Sequence, residues 1–204
     1  MSDAAFVADL ALWDAWHPAL AAERLADVEV PWYVAAGWAL DLFRGEQTRD
    51  HEDLELAVPH ERFDAVRAAL ADLDAFVPVG EGLVRPLDDM TADEFAETHQ
   101  TWFRESSSER WRVDIFREPS HGETWICRRD DRLRRPFADV VQRTREGIPY
   151  GAPDVVLLYK AKHSREKDEA DFAAVHPLLS PEQRAWLAEA LALVHPGHRW
   201  LKVL

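Results

Sequence analysis

Residues 53–58 read Asp-Leu-Glu-Leu-Ala-Val, and Pro59 stops the run. Leucines alternating with acids across a short apolar stretch spell a β-strand, whose side chains point to opposite faces in turn. Leu54 and Leu56 then face a core, and Asp53 and Glu55 stand side by side on the other face. Adjacent like charges repel, and strands are depleted in acidic residues, so something must offset the repulsion. A pair of divalent cations does so, and hard carboxylate oxygens suit Mg²⁺. A solvated strand face with Arg49 or another base nearby is the alternative for a bare Asp-x-Glu.

The flanking sequence favours the metal reading. Val28–Ala36, rich in β-branched and aromatic residues, predicts a first strand running into Gly37. Gly37–Phe43 predicts a short helix closed by Arg44-Gly45. A glycine at a helix start lets backbone N–H groups approach a phosphate, and the helix dipole favours the anion. A third acid, Asp114, lies within the strand-like Trp111–Arg117. A carboxylate in the middle of such a strand is costly unless paired or ligating. The competing reading is an edge-strand acid paired with Arg112 or Arg117.

Trp32–Asp41, Gly45 and Thr48–Leu56 together resemble the start of the aminoglycoside 2''-adenylyltransferase-like proteins, within the DNA polymerase β-type nucleotidyltransferase superfamily. The likeness is dense over 31–58, loose over 110–117, and returns from Gly147 to Phe172. It implies an α+β nucleotidyltransferase fold, a mixed sheet flanked by helices, with a helical C-terminal portion. It also implies that Asp53 and Glu55 hold two Mg²⁺ ions and that Asp114 completes the site as ligand and as base toward an acceptor hydroxyl. Gly37 and Trp38 would sit by the triphosphate of ATP or another NTP, and Lys160 and Lys162 would contact phosphates. Two departures bear on catalysis: Ala36 stands where many members have Gly, and Trp38 where the wider superfamily often has Ser. The acidic pair is also Asp-x-Glu rather than Asp-x-Asp.

The rest of the chain fits one domain of 204 residues: N-terminal helices over 1–28, an α/β core over 29–150 and a helical portion over 151–204. Residues 4–28 read as helical, broken at His17-Pro18, and 60–72 as an amphipathic helix. Met90–Glu97 reads as an acidic helical loop. Helices are expected from Pro153, over Glu166–Leu178 and over Pro181–Val194. Cys127 is the sole cysteine, which excludes a disulfide within the chain and a Cys-based zinc site, and fits a reducing, cytoplasmic setting. No apolar run is long enough for a membrane span, and the Ser2-Asp3 opening does not read as a signal peptide.

A net charge of −14 repels polyanions, so nucleic acid is not the expected partner; the charge would attract a small cationic molecule, and taken alone it also reads simply as a solubilising surface. His51-Glu52 lacks the second histidine of a zinc protease, and no P-loop, dinucleotide fingerprint or nucleophile elbow is present. His195 and His198 read as an ordinary C-terminal turn, Cys127, Trp32 and Trp111 as core, and Arg128–Arg135 as a solvated basic run that could also steer phosphates. Asp88, Asp89, Asp93, Glu94 and Glu97 read as a solubilising group or as a pocket for a cationic acceptor.

The expected activity is Mg²⁺-dependent transfer of a nucleoside monophosphate, AMP from ATP, to a hydroxyl of an aminoglycoside-like acceptor. The alternatives are a degenerate member that binds a nucleotide or a protein without catalysis, and a toxin-like transferase acting on RNA or protein.

Overall fold

The computed structural model describes residues 5–204; Ser2 and Asp3 lie outside them. In chain order the first half holds β1 (Phe6–Val7), α1 (Pro18–Arg24), β2 (Tyr33–Val34), α2 (Ala36–Arg44), β3 (Glu55–Pro59), α3 (Phe63–Ala69), β4 (Asp74–Gly80), β5 (Leu83–Pro86) and α4 (Ala92–Ala96). Then come β6 (Gln100–Arg104), β7 (Trp111–Glu118), β8 (Ser120–His121), β9 (Thr124–Ile126), β10 (Arg134–Pro136), α5 (Phe137–Val140), β11 (Val141–Arg143) and β12 (Pro149–Gly151). The helices α6 (Pro153–Lys160), α7 (Glu166–Val175) and α8 (Pro181–Val194) close the chain. This is an α+β architecture built on a mixed sheet.

Two compact units interleave in sequence. One comprises the chain up to Trp32 together with His51–Glu118, the other Tyr33–Asp50 together with Pro119–Leu204. The unit boundaries fall at 32/33, 50/51 and 118/119.

In the first unit the strands run β1-β5-β4-β6-β7-β3. All neighbours are antiparallel except β3 and β7, which are parallel, with Glu55 opposite Asp114 and Leu56 opposite Ile115. One face of β3 and β7 is apolar: Leu54, Leu56, Val58, Val113 and Ile115 are all buried. Farther along the sheet, Ala8, Phe76, Val84 and Trp111 form a core cluster with Phe6, Leu12, Trp13 and Trp102 packed against it. Edge-to-face contacts join Trp102 to Trp111 and Phe76 to Trp111, geometry that aromatic quadrupoles favour.

The N-terminal segment departs from the helical expectation. Phe6–Val7 is a strand paired with Leu83 and Val84, and only a single 3-10 turn forms at Leu10–Leu12. A non-local partner strand and the aromatic cluster outweigh the helix propensity of alanine, which is a weak local preference. The break at Pro18 is real: it is the first residue of α1, and the His17 ring accepts the N–H of Ala19. The first expected strand, 28–36, is reduced to Tyr33–Val34.

In the second unit β2 lies parallel to β12, β11 continues antiparallel, and β8, β9 and β10 form a separate three-stranded sheet. At Gly151 in β12 the backbone passes close to the Tyr33 ring: a Cβ there would meet it at 3.2 Å, and the ring would have to shift by a few tenths of an ångström. Helix α6 packs on α2 and α8. Helix α2 ends as its sequence predicts, with Gly45 in the left-handed region at φ 77. Helix α8 spans its predicted residues and opens with a capping box between Ser180 and Gln183.

Ala36, at the start of α2, has φ 47. An L-residue there costs roughly 1–2 kcal/mol, whereas glycine adopts it freely at the cost of a floppier unfolded chain. Ala36→Gly is therefore expected to stabilise the protein by about 0.5–1 kcal/mol, read as a melting temperature higher by roughly 1–4 °C. An unchanged or lower melting temperature would show that no strain resides at Ala36.

Candidate active site

The parallel register of β3 and β7 fixes the site. Glu55 and Asp114 are directly paired, so their side chains share one sheet face. Asp53 lies two residues before Glu55, in the extended lead-in to β3, where the Leu54 carbonyl already accepts the Asp114 N–H at 2.9 Å. The strand begins at Glu55 rather than at Asp53. On the other side of Asp114 the antiparallel register of β6 places Trp102.

Asp114 is 4% exposed. β7 lies between β6 and β3, so the acid is on an interior strand, not an edge. Neither arginine proposed for it is its partner. Arg112 forks between Asp14 and Glu105, the latter at 2.7 Å. Arg117 lies on the opposite face of the strand, donating to the Phe95 and Gln100 carbonyls and the Thr98 hydroxyl, with its guanidinium 3.7 Å from the centre of the Phe95 ring.

Burial pushes the Asp114 carboxyl well above the usual range, and the charges of Glu55 and Asp53 push it further. The hydrogen bond from Gln100, Nε2 to Oδ2 at 2.6 Å, opposes the rise. The Trp102 indole stands near enough to oppose it as well, yet neither Trp102 Nε1 nor Asp114 Oδ1 completes a hydrogen bond, and both atoms are buried. Gln100 is the residue that sequence reasoning missed. In the alternating Gln100–Arg104 strand it looks like any outward polar residue.

Among the described residues no three His, Cys, Asp or Glu side chains converge as a finished metal centre. The ready-formed three-carboxylate cluster that the resemblance implies is therefore not seen among them. The buried Oδ1 of Asp114 has no completed hydrogen bond, and Glu55 stands opposite in register, so the donors present are hard oxygens of the kind a divalent cation takes.

In the second unit, Gly37 and Trp38 are buried in the first turn of α2. Lys160 is 8% exposed and spent within the fold, with Nζ 2.7 Å from Asp171 and 3.1 Å from Asp168. Arg49 approaches the same Asp171 at 3.8 Å. Lys162 is exposed.

The basic run has local partners. Arg132 pairs with Asp130, Arg134 with Asp131 and Arg135 with buried Asp154, and Arg129 donates to the Leu158 and Tyr159 carbonyls at the end of α6. His195 and His198 belong to the C-terminal turn, in contact with Arg129 and Ser164. Cys127, Trp32 and Trp111 are core, as their sequence context predicts. In the acidic group Asp88 pairs with Arg67, and Glu94 pairs with Arg85 while capping α4. No helix among the described residues is long and apolar enough to cross a membrane.

Residues 20–85 match the family described as aminoglycoside-2''-adenylyltransferase. The segment contains Gly37, Asp53 and Glu55 and ends before Asp114. Over it the resemblance read from the residues is borne out. The crystal structure of ANT(2")-Ia in complex with adenylyl-2"-tobramycin is similar with a TM-score of 0.57 and 13% identity, covering 86% of this chain and 97% of that one. The lincosamide antibiotic adenylyltransferase LnuA, bound to lincomycin, is similar with a TM-score of 0.54 and 14% identity, covering 78% and 94%. The fold is therefore that of the antibiotic nucleotidyltransferases. No curated protein sequence matches the chain.

The raised Asp114 carboxyl has a signed consequence for stability. Between the ordinary carboxylate range and its higher folded value, the folded state holds a proton that the unfolded state has released. Stability without metal should therefore fall as pH rises through that window. Asp114→Asn removes the titration and should flatten that part of the curve, measured by urea melts at a series of pH values. An unaltered slope in Asp114→Asn would contradict the electrostatic account.

Proposed function

We propose that the protein is a metal-dependent nucleotidyltransferase that moves a nucleoside monophosphate, AMP from ATP, to a hydroxyl of a small cationic acceptor such as an aminoglycoside. The observation that carries this reading is Asp114: a carboxyl buried on an interior strand, paired in register with Glu55, with one oxygen satisfied by Gln100 and the other open. Most buried side-chain oxygens have a hydrogen-bond partner, so a buried carboxyl beside two other acids with one oxygen unbonded supports a role beyond packing.

Asp53, Glu55 and Asp114 would hold two Mg²⁺ ions. When bound, such ions neutralise charge at the phosphates and stabilise attacking and leaving oxygens in a displacement. The role of Asp114 as base toward the acceptor hydroxyl is carried over from the family resemblance. Gly37 and Trp38 are assigned to the nucleotide through the family resemblance. Of the two lysines, Lys162 is the readier phosphate contact, because Lys160 would have to leave Asp168 and Asp171. The acceptor's positive charge is favoured by the net charge of −14 and by the antibiotic adenylyltransferase-like segment.

Labelled NTPs, Mg²⁺ and an aminoglycoside panel test the activity directly, with a labelled antibiotic as the expected product. In thermal shifts, Mg²⁺ with ATP should raise the melting temperature of the wild type. Asp53→Asn should match or exceed the wild type without metal, because one repelling charge is gone, and should lose the Mg²⁺–ATP increment. A merely structural Asp53 would reverse the pattern: about 1–3 kcal/mol of stability lost, and the ATP increment intact. Gly37→Val should weaken ATP binding more than it lowers stability; a folded variant with unchanged ATP affinity would remove Gly37 from the nucleotide site.

A further inference from the structure

We propose that Gln100 is a positioning residue that presents one oxygen of Asp114 to metal; this rests on the metal-binding reading above. Gln100 opens β6, two residues before Trp102, so both lie on the sheet face that carries Asp114. Its Nε2 donates to Oδ2 of Asp114 at 2.6 Å. Among the described residues this is the one completed hydrogen bond of a carboxyl group that is 4% exposed; Oδ1 is buried with no completed bond, the Trp102 indole being near enough to act on the carboxyl.

A carboxylate has two oxygens and rotates about its Cβ–Cγ bond. Tying Oδ2 to a neighbouring strand fixes that rotation and selects Oδ1 as the free donor. Such outer hydrogen bonds orient carboxylate ligands and typically govern metal affinity by 10–100-fold. An amide also suits the task better than a charged donor. Arginine or lysine at 100 would neutralise Asp114 and compete with the cation, whereas glutamine leaves the charge in place.

The structural alternative is that Gln100 merely fills space at the start of β6. The two differ in whether the effect passes through Asp114, and a double-mutant cycle separates them. The probe is Mn²⁺ with a non-hydrolysable ATP analogue, bound Mn²⁺ being counted by the loss of the free-ion electron paramagnetic resonance signal. No turnover is involved. Gln100→Met keeps length and volume and removes the donor; it should weaken Mn²⁺ about 10–100-fold. Gln100→Asn keeps the amide but shortens its reach, and should also weaken Mn²⁺, which guards against a Met variant that fails to fold.

In an Asp114→Asn background, Gln100→Met should change the remaining affinity less than twofold. Equal losses in both backgrounds, or wild-type affinity in both Gln100 variants, would overturn the positioning role while leaving the metal reading intact. Failure of the wild type to bind Mn²⁺ would overturn both.

Discussion

The arrangement depends on one pairing, the parallel register of β3 with β7. Sliding either strand by one residue would turn Asp114 or Glu55 into the apolar layer occupied by Leu54, Leu56, Val113 and Ile115. Burial of that layer is what forces two acids, with Asp53 just upstream, onto the other face in close succession. The repulsion is therefore not a local accident. It is imposed by the same alternation that makes the sheet stable. Asp114 carries the largest share, because it alone of the three is almost completely removed from water.

The two charged groups of β7 illustrate how differently a fold can treat buried ions. Arg117 is fully buried on the apolar face, but carbonyls, a hydroxyl and aromatic rings surround its guanidinium. Burial still lowers its pKa to about 10, which leaves it protonated at neutral pH. Asp114, three residues earlier, has one completed hydrogen bond, the Trp102 indole nearby, two like-charged neighbours, and the Arg117 charge within electrostatic reach. The first is an ion that the fold accommodates; the second is one that it leaves unbalanced.

What was legible in the sequence follows the range of the forces involved. The helical tail could be read because its signals are local: Pro153 and Pro181 in first turns, Ser180 with Gln183 as a cap. The strand from Glu55 onward and the Asp114 strand could be read because strand alternation is local too. The N-terminal segment could not, since Phe6–Val7 is a strand only by virtue of Leu83 and Val84 far along the chain. Nor could the partners of charged groups be read. Lys160 looks like a free cation until α7 brings Asp168 and Asp171 to it, and Gln100 looks like surface until the β6–β7 register sets it beside Asp114.

The account's central claim is that the open oxygen of Asp114 is a metal ligand. Crystals grown with Mn²⁺ and a non-hydrolysable ATP analogue, measured at the manganese absorption edge, test it most directly. The account predicts an anomalous peak at coordination distance, roughly 2.0–2.2 Å for a small hard cation, from Oδ1 of Asp114 and shared with Asp53 or Glu55. A bound nucleotide with no anomalous peak near Asp114, the carboxyl still held only by Gln100, would contradict it.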